Sequence, residues 1–272
     1  MAVIRCDFRS TVQEQATSML VVAPEEPAPE GGFPVLYLLH GLSDDATAWL
    51  RQTRLERHLE GTGLLVVMPQ VHRSYYTDEA HGSDYWTFLT DELPDRVAGM
   101  FNVSAQRSHT FVAGLSMGGY GAFKWALHQP HRFAAAASLS GALGIAQRTI
   151  HGRSVGALDA RIWDAVFDGA DVTGGDADLL WLLRRATPAS LPALYSSCGT
   201  DDALYPENVA FAEAALECGI ELLVEDGPGE HTWDYWDAYL SRVLQWLPLP
   251  RRMAGAGARQ VYDSRPARRA LT

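Results

Sequence analysis

Short continuous apolar runs alternate with longer amphipathic stretches along most of the chain. Residues 35–39 read VLYLL, a run that is too short for a helix and apolar at every position. Such a run is typical of a strand that is buried on both faces of a parallel sheet. The same pattern predicts further strands at residues 64–68, 110–113, 134–139, 193–197 and 221–224. Helical spacing predicts helices between the strands, at residues 46–59, 85–100, 117–128, 206–217 and 232–246.

This alternation predicts an α/β fold, in which a mostly parallel sheet carries helices on both faces. Two β-rich segments, residues 3–8 and 16–22, precede it and predict an antiparallel hairpin at the N-terminal edge of the sheet. Residues 141–188 interrupt the alternation of strands and helices, and the segment is too long for a simple connection between two parallel strands. We therefore expect a small cap insertion there. One domain would then span residues 1–250, and residues 251–272 would form a disordered basic tail.

The composition is that of an ordinary globular protein, with 47% hydrophobic and 20% charged residues among 272. A net charge of −11 argues against a protein that binds nucleic acid or rests on an anionic membrane. Six Arg and one Asp follow residue 250, which leaves 16 basic and 32 acidic residues before it. Three cysteines without C-x-x-C spacing, no secretion signal and no membrane-spanning apolar run predict a cytoplasmic protein with reduced thiols.

The candidate chemistry begins with a G-x-S-x-G motif, Gly114-Leu115-Ser116-Met117-Gly118, between a predicted strand and a predicted helix. A strand-to-helix turn this abrupt holds its central residue in a strained backbone conformation, and glycines two places to either side avoid clashes. In such a turn the serine hydroxyl is exposed and acts as a nucleophile. Ser116 is therefore the predicted catalytic nucleophile.

A serine nucleophile needs a base, and in this topology the acid and the base follow on loops after later strands. His231 is the only histidine in the last third of the chain and follows the last predicted strand, so it is the predicted base. The loop after the preceding strand contains Asp201 and Asp202. We favour Asp202 as the acid because it follows the turn glycine by three residues, and Asp226 and Glu230 are more distant alternatives.

The tetrahedral intermediate of acyl transfer needs backbone N–H donors that point at its oxyanion. Residues 39–42 (LHGL) leave a predicted central strand at the place where an oxyanion loop belongs. The predicted donors are the amides of Leu42 and Met117. His40 lies in the same loop, and we expect it to brace the loop by hydrogen bonds rather than to act in catalysis.

Aromatic residues are dense around these positions, and most are expected to pack in the core: Trp49, Tyr75, Tyr76, Tyr85, Trp86, Tyr120, Trp233 and Trp236. From this group we predict that Trp49, Trp86 and Tyr120 contribute to the substrate-binding pocket. No histidine has metal-ligand spacing with Cys, Asp or Glu, and no dinucleotide-binding or phosphate-binding glycine motif occurs. The sequence therefore predicts neither a metal nor a cofactor.

Six segments carry a resemblance to a known family: residues 37–49 (YLLHGLSDDATAW), 66–78 (VVMPQVHRSYYTD), 85–94 (YWTFLTDELP), 111–127 (FVAGLSMGGYGAFKWAL), 197–208 (SCGTDDALYPEN) and 229–237 (GEHTWDYWD). Together they resemble the α/β-hydrolase fold and, within it, the esterase D or putative esterase family. The likeness is greatest to tributyrin esterase-like and feruloyl esterase-like carboxylesterases.

The resemblance implies a catalytic triad of Ser116, Asp202 and His231, with the amides of Leu42 and Met117 in the oxyanion hole. These are the residues that the motif and the predicted topology also indicate. The expected function is that of a serine carboxylesterase that hydrolyses short-chain acyl esters through an acyl-enzyme intermediate.

Two alternatives keep the same residues: an acyltransferase that passes the acyl group to a metabolite, and an S-formylglutathione hydrolase-like thioesterase. The thioesterase is less expected, because S-formylglutathione hydrolases carry histidine where this chain has Leu115 and Tyr120. A catalytically dead scaffold on the same fold is a third hypothesis, which an intact triad disfavours. The expected partner is a small-molecule ester, with no nucleic acid and no membrane, and the sequence leaves a homo-oligomer open.

Overall fold

The computed structural model describes residues 1–151 and 160–249, and an eight-stranded sheet lies at its centre. The strands are β1 (Ala2–Arg9), β2 (Ala16–Ala23), β3 (Val35–Leu39), β4 (Leu65–Pro69), β5 (Thr110–Leu115), β6 (Ala135–Leu139), β7 (Ala193–Ser197) and β8 (Leu222–Val224). Their order across the sheet is β1-β2-β4-β3-β5-β6-β7-β8. The pairs β1–β2 and β2–β4 are antiparallel, and the remaining pairs are parallel. The predicted sheet with an antiparallel N-terminal edge is confirmed.

Two hydrophobic cores cover the two faces of this sheet. In β3, Val35, Tyr37 and Leu39 pack into one core. Leu36 and Leu38 pack into the other, as the alternation of side chains along a strand requires. Helices α4 (Leu93–Met100), α5 (Met117–His128), α8 (Leu179–Arg185) and α9 (Tyr205–Glu217) contribute to the first core. Helices α1 (Ala48–Gln52), α2 (Leu55–Leu59) and α10 (Trp233–Trp246) contribute to the second.

The single helix predicted at residues 46–59 is two short helices, α1 and α2, that are separated at Thr53. The backbone of Thr53 is extended, with φ −131° and ψ 172°, and its hydroxyl donates to the carbonyl of Trp49 at 2.5 Å. The amide of Arg54 donates to the carboxylate of Asp237 on α10 at 2.9 Å. The side chains of Thr53 and Asp237 therefore form hydrogen bonds with backbone groups that would be paired within the backbone in a continuous helix.

The helix predicted at residues 85–100 changes its winding along its length. A single α-helical turn, α3 (Tyr85–Thr87), continues into a π-helical segment (Phe88–Glu92) and then into α4. Pro94 lies in the first turn of α4 and has no amide hydrogen, so the α-helical bond to the carbonyl of Thr90 cannot form there. The π-helical segment before Pro94 has a wider turn than an α-helix, and this accommodates the missing hydrogen bond.

The segment predicted as a cap insertion contains α6 (Ile145–His151), α7 (Ala160–Phe167) and α8, and its residues 152–159 lie outside the described residues. The loop before α3 donates to α7, from the amide of Ala80 to the carbonyl of Val166 at 3.1 Å. Helix α8 packs on α5 and α9. Short 3₁₀ helices occupy Arg107–His109, Pro130–Arg132 and Pro188–Ser190. The tail predicted at residues 251–272 also lies outside the described part of the chain.

Candidate active site

Ser116 lies in a strained turn between β5 and α5, as its motif predicts. Its backbone angles are φ 52° and ψ −117°, a region that residues other than glycine rarely adopt. A Cβ on Gly114 would lie 2.4 Å from the carbonyl carbon of Gly118, and a Cβ on Gly118 would lie 2.4 Å from the carbonyl oxygen of Leu39. Both positions therefore require glycine for steric reasons.

Three predicted residues lie together in one hydrogen-bonded row. The Nε2 atom of His231 lies 3.0 Å from Oγ of Ser116, and its Nδ1 atom lies 2.7 Å from Oδ2 of Asp202. Because the carboxylate can only accept, Nδ1 carries the ring proton and Nε2 is free to accept the serine proton. Burial would raise the pKa of Asp202, but hydrogen bonds from His231 and from the amide of Leu204 hold that pKa below its usual value.

Two loops hold Asp202 and His231 side by side at the carboxyl ends of β7 and β8. The amide of Thr200 donates to the carbonyl of Gly227 at 2.9 Å, and the amide of Asp201 donates to the carbonyl of Gly229 at 3.0 Å. The loops approach so closely that a Cβ on Gly199 would lie 2.2 Å from the carbonyl oxygen of Gly229. The spacing of Asp202 and His231 is therefore set by backbone contacts.

The other carboxylates that the sequence offers as the acid lie elsewhere. The side chains of Asp201 and Glu230 are exposed. Asp226 accepts a hydrogen bond from the amide of Cys198 at 3.1 Å. Of these four acidic residues, Asp202 is the one that the structure brings to His231.

The loop after β3, the predicted oxyanion loop, lies against Ser116. A Cβ on Gly41 would lie 3.8 Å from Cβ of Ser116. Leu42 follows and lines the same cavity as Ser116. Met117 is the first residue of α5, where leading amides have no acceptor inside the helix. Within the described residues, neither the Leu42 amide nor the Met117 amide donates to another group.

His40 braces this loop, as predicted. The ring is 1% exposed, its Nδ1 atom donates to the carbonyl of Gly41 at 2.8 Å, and its Nε2 atom accepts from the amide of Val71 at 3.3 Å. Burial lowers the pKa of His40 to about 4, so the ring is neutral at physiological pH. The hydroxyl of Tyr76 donates to the carbonyl of His40 at 2.9 Å.

A buried lysine extends this support to helix α5, which follows Ser116. Nζ of Lys124, on α5, donates to the carbonyl of Tyr76 and to Oγ1 of Thr77, both at 2.9 Å. Tyr75 and Tyr76 have φ values of 49° and 51°, a strained conformation that neighbouring contacts must maintain. Burial lowers the pKa of Lys124 to about 7. A continuous set of hydrogen bonds therefore links α5, the Tyr75–Tyr76 turn and the loop after β3.

This linkage makes a testable prediction for the hydroxyl of Tyr76. Tyr76→Phe leaves the buried carbonyl of His40 without its donor, which should lower the free energy of unfolding by about 1–2 kcal/mol in urea denaturation. Because the oxyanion loop loses a support, kcat should also fall, by about tenfold.

Tyr120→Phe is the matched control, because Tyr120 is also fully buried and its hydroxyl donates to the carbonyl of Ala177 at 3.0 Å. Its stability loss should be similar, and its kcat should be close to that of the wild type. Equal losses of kcat in the two variants would contradict the proposed role of the Tyr76 hydrogen bond.

A cavity of about 490 Å³ opens at Ser116 and His231. Its apolar walls include Leu42, Trp233 and Trp236, and its polar walls include Tyr75, Asp44 and Arg148. Arg148, on α6, forms an ion pair with Glu207 of α9 at 2.6 Å, and both side chains are largely buried. The cavity therefore combines an aromatic side with charged groups.

The three aromatic residues predicted to bind substrate are not among the residues that line this cavity. Trp49 is fully buried, donates from Nε1 to the carbonyl of Leu39 at 3.0 Å and packs edge-on against Trp233. Trp86 lies against Lys124, with Nζ 4.4 Å from the ring centroid. Tyr120 is fully buried under Tyr75. Trp49 and Tyr120 therefore pack behind residues that line the cavity, namely Trp233 and Tyr75.

Sequence reasoning missed Asp44 and Arg148 as parts of the cavity. Arg148 belongs to the segment in which no sequence pattern constrains the backbone, and Asp44 is one of two adjacent aspartates in a polar turn. Among the described residues, no three His, Cys, Asp or Glu side chains are grouped so as to hold a metal ion. No helix in that part of the chain is long and apolar enough to cross a membrane.

The fold is that of the α/β hydrolases, which solved structures similar to this chain also adopt. The family described as "Putative esterase" matches residues 10–247, so the chain belongs to that family. An acetyl esterase from Caldicellulosiruptor saccharolyticus is 28% identical over 263 residues, which cover 91% of this chain and 98% of the relative. The mycolyltransferase Ag85B of Mycobacterium avium, also named a diacylglycerol acyltransferase, is 30% identical over 78% of this chain and 74% of its own length.

Two solved structures from Staphylococcus aureus are similar over 91% of this chain and 98% of theirs, each at 32% identity. The fluorophosphonate-binding serine hydrolase FphF has a TM-score of 0.83, and the S-formylglutathione hydrolase FrmB has a TM-score of 0.81. Family membership and these likenesses make the protein a serine hydrolase that acts on carboxylic esters.

Proposed function

We propose that the protein is a carboxylesterase that hydrolyses short-chain acyl esters through a triad of Ser116, His231 and Asp202. The observation that carries this proposal is the hydrogen-bonded row, with His231 Nε2 at 3.0 Å from Ser116 Oγ and Nδ1 at 2.7 Å from Asp202. The histidine is already placed to accept the proton that the serine must lose, and the aspartate stabilises the imidazolium that then forms.

The reaction follows from this geometry in two stages. Ser116 Oγ attacks the ester carbonyl while its proton passes to His231, and the carbonyl oxygen becomes an oxyanion. We assign the stabilisation of that oxyanion to the amides of Leu42 and Met117. His231 then protonates the departing alcohol, which leaves an acyl-enzyme. Water, deprotonated by the same histidine, attacks the acyl-enzyme. Collapse of the second tetrahedral intermediate breaks the bond to Ser116 Oγ and releases the acid, and His231 returns its proton to Ser116.

The cavity supports a preference for short acyl groups. Its volume of about 490 Å³ must hold the acyl group and the alcohol together. Each added methylene stabilises binding by at most about 0.8 kcal/mol while it touches an apolar wall. A longer chain would approach the polar side of the cavity, where the partly exposed carboxylate of Asp44 would lose water on contact.

A panel of p-nitrophenyl esters from C2 to C12 tests this preference. We expect kcat/KM to be greatest for acetyl to butyryl esters and to fall by C8, because chain atoms beyond the apolar wall gain nothing. Ser116→Ala, measured beside the wild type, gives the background rate. An optimum at C10 or longer would show that the substrate lies in a deep apolar tunnel and would contradict the proposal.

Two relatives favour specific alternatives, and the same assay can separate them. The Ag85B relative is named an acyltransferase, and an acyltransferase would release less free acid when an acceptor alcohol is added. The FrmB structure is named an S-formylglutathione hydrolase, and such an enzyme would have its greatest kcat/KM on that thioester. Methyl ferulate, S-formylglutathione and glycerol as an acceptor therefore complete the panel.

A further inference from the structure

Asp44 places a carboxylate close to the nucleophile, in a part of the cavity to which the proposed mechanism gives no role. Gly41 lies beside both residues: a Cβ atom added to Gly41 would be 2.8 Å from Oδ2 of Asp44 and 3.8 Å from Cβ of Ser116. The distance from Oδ2 of Asp44 to Cβ of Ser116 is therefore smaller than the sum of these two distances. Asp44 also lines the catalytic cavity, together with His231.

No lysine or arginine in the described part of the chain forms an ion pair with Asp44. The neighbouring Asp45 is the one that pairs with Arg51, at 3.5 Å. Arg148, in the same cavity, is paired with the carboxylate of Glu207 at 2.6 Å. Burial raises the pKa of Asp44, against a hydrogen bond from the backbone of Gly41 and weaker attraction to Arg51 and His231. A partly buried carboxylate that has no ion-pair partner in direct contact is unfavourable unless something else compensates its charge.

The charge of Asp44 is also unfavourable for the reaction when the site holds a neutral ester. The carbonyl oxygen becomes negative beside the loop that carries Leu42, and a carboxylate next to that loop opposes this change. A cation between the carboxylate of Asp44 and the developing oxyanion would offset this repulsion. An aromatic wall suits such a group, because Trp233 and Trp236 line the same cavity and aromatic rings attract ammonium groups.

We propose that Asp44 forms a subsite for a positively charged ammonium group that the ester substrate carries next to its scissile bond. The proposal rests on the esterase function proposed above and specifies the substrate class. The ammonium group could belong to the alcohol, as in esters of amino alcohols, or to the acyl group, as in aminoacyl esters. The net charge of −11 favours the approach of either substrate.

Pairs of esters with the same shape and different charge test the subsite. Acetylcholine is compared with 3,3-dimethylbutyl acetate, in which carbon replaces the charged nitrogen. Glycine ethyl ester, assayed at a pH where its amine is protonated, is compared with ethyl propanoate. We expect the wild type to have a kcat/KM at least tenfold greater for the cationic member of one pair, and that pair identifies the source of the ammonium group.

Asp44→Asn keeps the shape of the side chain and removes its charge, so the ratio of kcat/KM within that pair should fall to near one. The ratio is the readout because a general loss of activity cancels in it. Asp45→Asn is the matched control: its carboxylate is paired with Arg51, so the wild-type ratio should persist. In the wild type alone, added NaCl should reduce the ratio, which gives a test that needs no variant.

Equal kcat/KM values within both pairs in the wild type, or an unchanged ratio in Asp44→Asn, would overturn the subsite. If the proposed esterase function itself failed, the neutral esters would not be hydrolysed either. The two failures can therefore be told apart. Calorimetric titration with tetramethylammonium tests the subsite without turnover. The subsite is supported if the wild type binds tetramethylammonium and Asp44→Asn binds it at least tenfold more weakly. Equal binding by the two proteins, or no binding to the wild type, would overturn the subsite.

Discussion

Ser116→Ala is expected to lower kcat by about 10⁴- to 10⁶-fold and to leave the protein folded. The variant removes the Oγ atom that lies 3.0 Å from Nε2 of His231, and with it the atom that becomes acylated. Alanine adopts the strained φ of 52° no less easily than serine, so the turn should keep its shape. The loss should therefore appear in kcat, while the midpoint of urea unfolding changes little.

Labelling with a phosphonate probe checks the same assignment without a substrate. The wild type should carry the label at Ser116, because an activated serine attacks the phosphorus atom as it would attack an ester carbonyl. Ser43→Ala is the matched control, since Ser43 is the other serine among the residues that line the cavity. Its labelling should match that of the wild type. A label that persists in Ser116→Ala would refute Ser116 as the nucleophile.

The sequence predicts the strands of this fold well because most of them are buried on both faces. A run such as VLYLL in β3 is apolar at every position, and its bounds in the structure are those that were predicted. The turn at Ser116 is equally predictable: its strained backbone excludes a side chain at Gly114 and Gly118 for local steric reasons. Local chemistry alone decides these features.

Features that depend on competition between distant groups are less predictable. The break between α1 and α2 depends on Asp237, which lies far away in the sequence and accepts from the amide of Arg54. The positions of the aromatic residues relative to the cavity are hard to predict for the same reason. Trp49 and Tyr120 are buried beneath the cavity, whereas Tyr75 lines it. Tyr75 has a left-handed conformation, and the carbonyl of the next residue, Tyr76, accepts from Lys124. Composition shows that aromatic residues are present, but only tertiary contacts decide which of them line the cavity.

Asp202→Asn is expected to lower kcat by up to about 10⁴-fold. The carboxylate accepts from Nδ1 of His231 at 2.7 Å, which keeps Nε2 without a proton and free to act as the base. An amide in its place can present an N–H to Nδ1, and the ring proton then moves to Nε2, where it blocks proton transfer from Ser116. The substitution also removes the negative charge that stabilises the imidazolium during the reaction. KM should change little, because Asp202 is buried behind the histidine.

Asp201→Asn is the matched control for this prediction, because it makes the same chemical change one residue away. The amide of Asp201 holds the two loops together through the carbonyl of Gly229, at 3.0 Å, and asparagine retains that backbone bond. Its side chain is exposed, so the loss of its charge should cost less than about tenfold in kcat. Equal losses in the two variants, or a larger loss in Asp201→Asn, would contradict the assignment of Asp202 as the acid. The contrast is informative because the two carboxylates share one loop, and only one of them reaches the imidazole ring of His231.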